Sequence, residues 1–330
     1  MIGDRSRRRI DVRPHTGAPV FAALVLLVAA CGGGAGGGPT GAPAEPTTGT
    51  LPTKAAPSET PTGGLEDQAF AVGQHFWHSG FRVDVVDGEI ASTTDQLSKK
   101  VTSVLTLSAT LENLGADTGF FGPSLAITTS DNSYPADEFA NGVPDVPGGL
   151  KSRGTLVFLI DQDFDLASAE LLVGDANENQ ARIPLKSSGD AVRLEPRELP
   201  IGGALSMELV DLAFTSAGLR YDVPDRHRQV EKGKLSLTLN FDVLSRKGGS
   251  WNIGATDLAL ILPDGIAVAP NDIVIGPLPG SDAGILTTGR SARFLVDEMP
   301  AGDYTLRLSP GSWFVGADGV TEATFDFSIN

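Results

Sequence analysis

The stretch Leu105-Thr106-Leu107-Ser108-Ala109-Thr110-Leu111 decides the fold. Three leucines and one alanine alternate strictly with hydroxyl residues, so an extended chain places its apolar side chains on one face and its hydroxyls on the other. A strand with one apolar and one polar face is typical of an antiparallel sheet that packs on a core and leaves its other face in water. The pattern therefore predicts a β-sandwich rather than a helical bundle.

The same pattern recurs in the second half of the chain, and five segments match in one order. They are Val83–Asp87 with Met207–Asp211, Leu105–Leu111 with Leu237–Val243, Leu125–Ile127 with Leu258–Leu260, Phe158–Asp161 with Phe294–Asp297, and Ala169–Val173 with Tyr304–Leu308. The offsets drift from 124 to 136 residues, which indicates a duplication followed by loop insertions. A Pro-punctuated link, Pro196–Pro200, separates the halves.

The first thirty residues are typical of a secretory signal, with a basic stretch followed by an apolar run from Val20 to Ala30. That run is too short to span a bilayer, which needs about 20 apolar residues. Val28-Ala29-Ala30-Cys31 resembles the lipobox of bacterial lipoproteins, and Cys31 is the only cysteine in the chain. The resemblance implies cleavage before Cys31 and a lipid anchor on its thiol; an ordinary signal peptide with an unrelated cysteine is the alternative. Ser6-Arg7-Arg8 partly matches a twin-arginine motif, so the sequence leaves the export route open.

The segment Gly32–Gly64 consists almost entirely of Gly, Pro, Ala, Thr and Ser. Such a composition cannot build a core and predicts a disordered tether, with a mean reach of roughly 30 Å. The predicted organisation is a signal peptide over residues 1–30, a lipidated cysteine and tether over 31–67, a first sandwich over 68–196 and a second over 200–330.

Charge and cysteine content exclude several classes of function. The chain carries 25 Lys and Arg against 41 Asp and Glu, a formal charge of -16, and such an acidic chain repels nucleic acids and anionic headgroups. Once Cys31 is lipidated the predicted mature chain has no free thiol, which excludes disulfides, thiolate metal sites and cysteine nucleophiles.

A family resemblance rests on the run Leu105–Leu111, on Asn113 and Gly115, and on Leu150–Gly154 leading into Leu156, Phe158 and Ile160. These residues resemble the telokin-like, immunoglobulin-fold domains of secreted bacterial lipoproteins and immunoprotective antigens. The resemblance covers most of residues 70–190 and reaches the second half only through the repeat. It implies two tandem immunoglobulin-like antiparallel β-sandwiches outside the cell, with no catalytic residues to assign.

Two groups of side chains invite a metal interpretation. His75 and His78 are three residues apart, and on a strand such residues face opposite sides of the sheet, which argues against a shared metal. Asp161, Asp163 and Asp165 resemble the start of a calcium-binding loop and are weak candidates, because Leu166 and Leu172 stand where an EF-hand requires Gly and Glu. We therefore expect no metal site and no cofactor.

Motifs of catalysis are absent from the predicted mature sequence: it contains no Gly-x-Ser-x-Gly, His-Glu-x-x-His or Ser-x-x-Lys. One basic cluster stands out against the acidic background and could meet an anionic partner or cell-wall polymer, or could simply be a solvated loop. Its members are Arg220, Arg226, Arg228, Lys232 and Lys234.

The sequence thus predicts a membrane-anchored, extracytoplasmic lipoprotein that acts as a non-catalytic binding module of the cell envelope. The expected partner is an envelope protein or a cell-wall polymer, with the loops Asp131–Asp137 and Arg220–Lys234 as the expected contact surfaces. The alternatives are a solute- or calcium-binding lipoprotein and, third, an envelope hydrolase.

Overall fold

A computed structural model of the protein describes residues 64–94, 101–186, 189–246, 253–274, 284–297, 301–309, 311, 319 and 321–329. The predicted signal peptide, Cys31 and all but the last residues of the predicted tether lie outside the described residues. No helix among the described residues is long and apolar enough to cross a membrane.

The first half of the described chain is a sandwich of two four-stranded antiparallel sheets. One sheet has the order β1-β2-β3-β6, with β1 at Gln68–His78, β2 at Phe81–Thr94, β3 at Val101–Asn113 and β6 at Lys151–Ile160. The other has the order β5-β4-β7-β8, with β4 at Leu125–Thr128, β5 at Ser133–Pro135, β7 at Glu170–Val173 and β8 at Ala181–Pro184. Strands β3 and β6 pair in one sheet while β4 and β7 pair in the other, the Greek-key arrangement of immunoglobulin-like sandwiches.

The second half repeats this arrangement. Its first sheet has the order β10-β11-β14-β18-β17, with β10 at Gly203–Met207, β11 at Val210–Arg220, β14 at Lys234–Ser245, β17 at Asp272–Val274 and β18 at Ile285–Asp297. Its second sheet has the order β16-β15-β19-β20, with β15 at Leu258–Ile261, β16 at Ala267–Val268, β19 at Gly302–Leu308 and β20 at Ala323–Ile329. The prediction of an all-β fold built from tandem antiparallel sandwiches is confirmed.

The predicted link between the halves is partly a strand. Residues Arg197–Leu199 form β9, which pairs with Ala217–Leu219 of β11. The second sandwich therefore begins at Arg197, three residues before the predicted start at residue 200.

Strand registers place four of the five matched segments at equivalent positions. Leu105 faces Phe158 across β3 and β6, and Leu237 faces Phe294 across β14 and β18. Leu125 of β4 likewise faces Val173, as Leu258 of β15 faces Leu308. The same bulge also recurs, at Val86 in β2 and at Thr215 in β11.

The match of Val83–Asp87 with Met207–Asp211 is wrong by five residues. A two-residue turn joins β1 to β2 so that His78 faces Phe81, and the corresponding turn joins β10 to β11 so that Met207 faces Val210. Phe81 is therefore the counterpart of Val210, and Val83 that of Leu212. Met207 belongs to the preceding strand.

The alternating strands bury two apolar clusters, one in each sandwich, among the described residues. In β3 the apolar residues of the run Leu105–Leu111 are buried, while its hydroxyls are half-exposed. Tyr221 is partly buried and packs against both clusters. The two sandwiches belong to one compact unit. At about 25 cal/mol per Å² of apolar area removed from water, the two clusters supply the main stabilising term.

The chain enters the first sandwich at a fixed point. The Leu65 amide donates to Ser103 Oγ, Ser92 Oγ donates to the Leu65 carbonyl, and Asp67 accepts a hydrogen bond from the Ser92 amide. This entry lies at the end of the sheet where β2 ends and β3 begins. The turn between β1 and β2 lies at the opposite end, and that end contacts the second sandwich.

Candidate interaction site

A segment inserted between β11 and β14 joins the two sandwiches. It contains β12 (Asp222–Val223), a single 3-10 turn (Pro224–Arg226) and β13 (Arg228–Gln229), which pairs with β12. We call residues 221–233 the joint segment. Its contacts with the first sandwich centre on the polar side chains of Asn179, Asp222 and Asn113.

Asn179, at the end of the first sandwich, binds the last part of the joint segment. Its side-chain amide donates to the carbonyls of Glu231 at 3.0 Å and Lys234 at 2.8 Å, and its Oδ1 accepts from the Gly233 amide at 3.0 Å. Its backbone amide donates to the Val230 carbonyl at 3.1 Å. One asparagine thus satisfies backbone groups that would otherwise need water.

Asp222 binds the turn between β1 and β2. The side chain is 2% exposed, its Oδ2 accepts from the Gly80 amide at 2.7 Å, and its Oδ1 accepts from Arg220 Nε at 2.7 Å. Next to it, Gln229 Oε1 accepts from the Ser79 amide at 3.1 Å. A buried carboxylate with two donors is stable where an unpaired one is not.

His227 inserts its ring between residues of the first sandwich. Asn113 donates both amide hydrogens, to the carbonyls of Asp117 and Val146. Its Oδ1 must therefore be the acceptor at 3.0 Å from His227 Nε2, and Nε2 carries the hydrogen. A Cβ added at Gly119 would lie 2.2 Å from Nε2, so glycine is required where the ring enters.

Three residues of the basic cluster form ion pairs within the protein, and the expectation that Arg220–Lys234 contacts a partner stays a prediction. Arg220 pairs with Asp222, Arg226 with Asp272 and Lys234 with Glu231. The backbone around these residues binds the first sandwich. Arg226, Arg228 and Lys232 are exposed, but the charge of Arg226 is offset by its pair with Asp272.

The other expected contact loop, Asp131–Asp137, has Tyr134 at its centre. Tyr134 is buried at 7% exposure and packs its ring against Phe164 at 5.8 Å between centroids. Its hydroxyl donates to Asp161 Oδ1 at 2.8 Å. Burial and this carboxylate raise the pKa of Tyr134 to about 12, so the phenol stays protonated and serves as a hydrogen-bond donor.

The three weak metal candidates, Asp161, Asp163 and Asp165, follow β6 on an exposed loop. Asp161 Oδ1 accepts from the Asp163 amide at 3.0 Å as well as from the tyrosine, and Asp165 Oδ1 accepts from the Ala167 amide at 3.0 Å. The hydrogen bond from the Ala167 amide lowers the pKa of Asp165. The carboxylates of Asp161 and Asp165 thus stabilise turns of their own loop, and the described residues contain no group of three or more His, Cys, Asp or Glu placed to hold a metal ion.

His75 and His78 lie on opposite faces of β1. His75 is half-exposed and makes an edge contact with Trp77 at 5.1 Å. His78 is fully buried, and its Nδ1 lies 2.9 Å from Ser79 Oγ while its Nε2 has no hydrogen-bond partner. Burial lowers the pKa of His78 to about 4, against the opposing effect of the Asp175 carboxylate, so the ring is neutral at pH 7.

A short turn after β5 presents the most exposed aromatic side chain among the described residues, Phe139, which is 101% exposed. The Phe139 amide donates to Asp137 Oδ1 at 3.0 Å, and the Asn141 amide donates to the Asp137 carbonyl at 3.0 Å. The turn is also fixed to β6, because the Asp137 amide donates to the Val157 carbonyl at 2.8 Å and Asn141 Oδ1 accepts from the Val157 amide at 2.8 Å. We call residues 137–141 the Phe139 turn.

The predicted contact loop Asp131–Asp137 includes the first residue of this turn but not Phe139. The available indication was the pattern Asp137-Glu138-Phe139, in which an aromatic residue follows two acidic residues outside any alternating run. Asp at the first position of a turn commonly accepts a hydrogen bond from the amide two residues later. The pattern therefore predicts a fixed turn with the aromatic residue outside the core.

Comparison with known proteins adds little. No protein-family profile and no curated protein matches the chain. A crystal structure of a conserved hypothetical protein from Bacillus anthracis matches 36% of this chain and 98% of its own, at 18% identity and a TM-score of 0.27. A conserved domain protein from Bacillus anthracis matches 79% of this chain and 90% of its own, at 14% identity and a TM-score of 0.22. Likenesses this low carry no argument about family or function, so the telokin-like resemblance stays a prediction.

Proposed function

We propose that the protein is a membrane-anchored, extracytoplasmic binding module without catalytic activity, and that the Phe139 turn is its main contact with a partner in the cell envelope. The observation that carries the proposal is the combination of complete exposure and fixed backbone at Phe139. Exposing an aromatic side chain to water is unfavourable. On a flexible loop such a side chain would therefore turn toward the protein. The turn holds it outward.

The turn has the properties of a binding anchor. Burial of one phenylalanine side chain in a partner is worth about 1.5–3 kcal/mol, which is the size of a hot-spot contribution. Because six hydrogen bonds already hold the turn, little conformational entropy is lost on binding. Leu159, on the outward face of β6, is also 52% exposed.

The charge around the anchor defines the partner. Asp137 and Glu138 flank Phe139, and the chain as a whole is acidic. The matching surface is an envelope protein with an apolar pocket and basic residues around it. A cell-wall polymer without apolar groups would leave Phe139 in water, so we favour a protein partner.

The contact is tested by capturing partners from intact envelopes with the full chain and with Phe139→Ala. We expect Phe139→Ala to capture the same partner at least tenfold more weakly, because the substitution removes the anchor and leaves the core unchanged. The matched control is Phe120→Ala, since Phe120 is also exposed, at 58%, but lies outside the turn. Equal capture by the wild type and Phe139→Ala would overturn the proposal.

The anchor on Cys31 is a separate part of the proposal and rests on the lipobox resemblance alone. Two acyl chains suffice for stable membrane attachment. Cys31→Ala should leave the protein unprocessed or release it from the membrane. A variant that is fully cleaved and still partitions with membranes would show that the anchor lies elsewhere.

A further inference from the structure

The two sandwiches differ in the side chains that fill their interior at one end of the fold. In the first sandwich, the space between β5 and the end of β6 is filled by three buried side chains, those of Tyr134, Phe164 and Leu166. Tyr134 and Phe164 make an edge-to-face contact, and the Tyr134 hydroxyl donates to Asp161. We call these three side chains the plug.

The registers identify the residues that stand in place of the plug in the second sandwich. Ile127 faces Tyr134 in the first sandwich, and its counterpart Leu260 faces Val268 in the second. Val268 therefore replaces Tyr134, with the loss of a phenol ring. Asp161, which accepts the hydrogen bond from Tyr134, follows Ile160 in the first sandwich. Asp297 follows Val296 at the equivalent position of the second sandwich, so this acceptor is retained.

The connection from β18 to β19 supplies no ring in place of Phe164. No aromatic residue lies between Asp297 and Tyr304 in the sequence. Tyr304 takes the position of Ala169 and is 1% exposed, and its ring stacks on Phe327 at 5.7 Å, so it belongs to the core.

A cavity of about 370 Å³ occupies this place in the second sandwich. Its apolar lining comes from the connection between β15 and β16, from β16, from β18 and from β19, and three charged residues also contact it. The apolar residues are Leu262, Pro263, Ile266, Val268, Leu295, Val296 and Tyr304, and the charged residues are Lys234, Asp264 and Asp297. The volume lies within the range of small-molecule sites, roughly 300–1,000 Å³, and apolar walls with a few polar groups are their usual composition.

The polar groups at the cavity are not equivalent. Asp264 Oδ1 accepts from the Ile266 amide at 3.0 Å, and the Lys234 ammonium lies 3.3 Å from Glu231. By contrast, no side-chain hydrogen bond to Asp297 is present among the described residues, although its counterpart Asp161 accepts one from a phenol. Asp297 is therefore the acceptor that a bound molecule would meet.

We infer that this cavity is a binding site for a small phenol-type molecule, which supplies the ring and the hydroxyl that Tyr134 supplies in the first sandwich. The ring would lie against Val268, Ile266 and Leu295, and the hydroxyl would donate to Asp297. The site goes beyond the proposed function, because the Phe139 turn belongs to the other sandwich. Binding here does not depend on the partner of Phe139.

The test uses 4-ethylphenol as the probe, titrated into the full chain and followed by calorimetry and by NMR of the probe. We expect saturable binding at one site, at least tenfold weaker for 4-ethylanisole, which has the same ring but no donor. Binding raises the melting temperature, since the probe binds only the folded state.

Two variants assign the binding to this cavity. Val268→Tyr restores the ring of the first sandwich and should abolish binding while raising the melting temperature. Asp297→Ala changes an exposed side chain, so it leaves the fold intact, and it should remove the preference for the phenol over its methyl ether. Tyr134→Phe is the control, because it removes the corresponding hydrogen bond in the first sandwich and should leave binding unchanged.

The inference fails if neither probe binds at millimolar concentration. It also fails if Asp297→Ala retains the full preference for 4-ethylphenol, whatever the stability of Val268→Tyr. None of these outcomes depends on capture through Phe139, so a failure here and a failure of the proposed function can be told apart.

Discussion

The two sandwiches share strand order, registers and one bulge, yet they differ in what lies between the strands. The connection between the two central strands spans six residues in the first sandwich, 95–100, and thirteen in the second, 221–233. The longer connection is the joint segment. The difference shows that a duplicated sandwich keeps the positions that bury apolar side chains and acquires new contacts in its loops.

The interiors differ as well, although less visibly. The first sandwich fills its end with the plug, and the second leaves a cavity there. The turn between the first two strands places a buried histidine, His78, in the first sandwich and Met207 in the second. Because equivalent positions hold different side chains, the two sandwiches should differ in their free energy of unfolding and in its dependence on pH. Each difference can be tested.

The largest expected effect comes from the paired core residues Phe158 and Phe294, both fully buried. Replacing either with Ala should cost about 3–5 kcal/mol, from lost burial and the cavity left behind. Hydrogen exchange resolved by peptide should show lost protection in the altered sandwich only. The control Leu159→Ala changes an outward-facing residue of β6 and should cost far less. Loss of protection across both sandwiches would mean that they unfold as one unit.

The second effect is acid sensitivity confined to the first sandwich. His78 has its pKa lowered from 6.5 to about 4 in the folded state, so the unfolded chain takes up a proton first as the pH falls. Stability is therefore full above about pH 6.5 and declines toward pH 4, by about 3 kcal/mol at most. Melting curves between pH 7.5 and 4 measure the decline.

The matched variants separate His78 from general acid effects. His78→Asn keeps a polar group near Ser79 but cannot titrate in this range, so its stability should depend less on pH. His75→Gln removes the half-exposed histidine on the opposite face and should retain the wild-type profile. If His78→Asn loses as much stability as the wild type on acidification, the assignment of the effect to His78 is wrong.

The smallest expected effect lies at the joint. Asp222→Ala leaves Arg220 without its carboxylate and the Gly80 amide without its acceptor, at a cost of about 2–3 kcal/mol. Exchange should then increase in the turn at Gly80 and in the joint segment while both cores stay protected. Asp225→Ala is the control, because Asp225 is 66% exposed in its pair with Arg293 and such pairs contribute about 1 kcal/mol or less. Unchanged exchange at Gly80 in Asp222→Ala would contradict the role of the joint.

Much of the fold follows from alternation, because a period of two determines which face of a strand is buried. The one slipped match shows where alternation fails. The turn Ser79–Gly80 contains a glycine with φ of +80°, a recognisable turn residue, whereas the equivalent turn is Glu208-Leu209. Because that turn contains no glycine, proline or asparagine, its sequence resembles a continuing strand. The match between Val83–Asp87 and Met207–Asp211 is therefore misplaced by five residues.

The candidate contact surfaces were harder to predict, because they depend on pairings distant in sequence. Asn179 contacts residues more than fifty positions away, so the composition of Arg220–Lys234 carried no indication that its backbone is bound. Local chemistry was more informative. The carboxylates after β6 lack the Gly and Glu of a calcium loop in the sequence, and they are exposed in the structure. The burial of Tyr134 depends on Phe164, which lies thirty residues further along the chain.

The hydrogen bonds of Leu65 and Asp67 fix the point where the chain enters, and the joint lies at the other end of the same sheet. Strand β3 connects these ends with thirteen residues, a length of about 40 Å at roughly 3.3 Å per residue. The first sandwich is therefore a spacer of fixed length. If Cys31 carries the proposed anchor, shortening the segment before residue 64 would bring the Ser92 end closer to it. The second sandwich and its cavity would still stand one spacer length away.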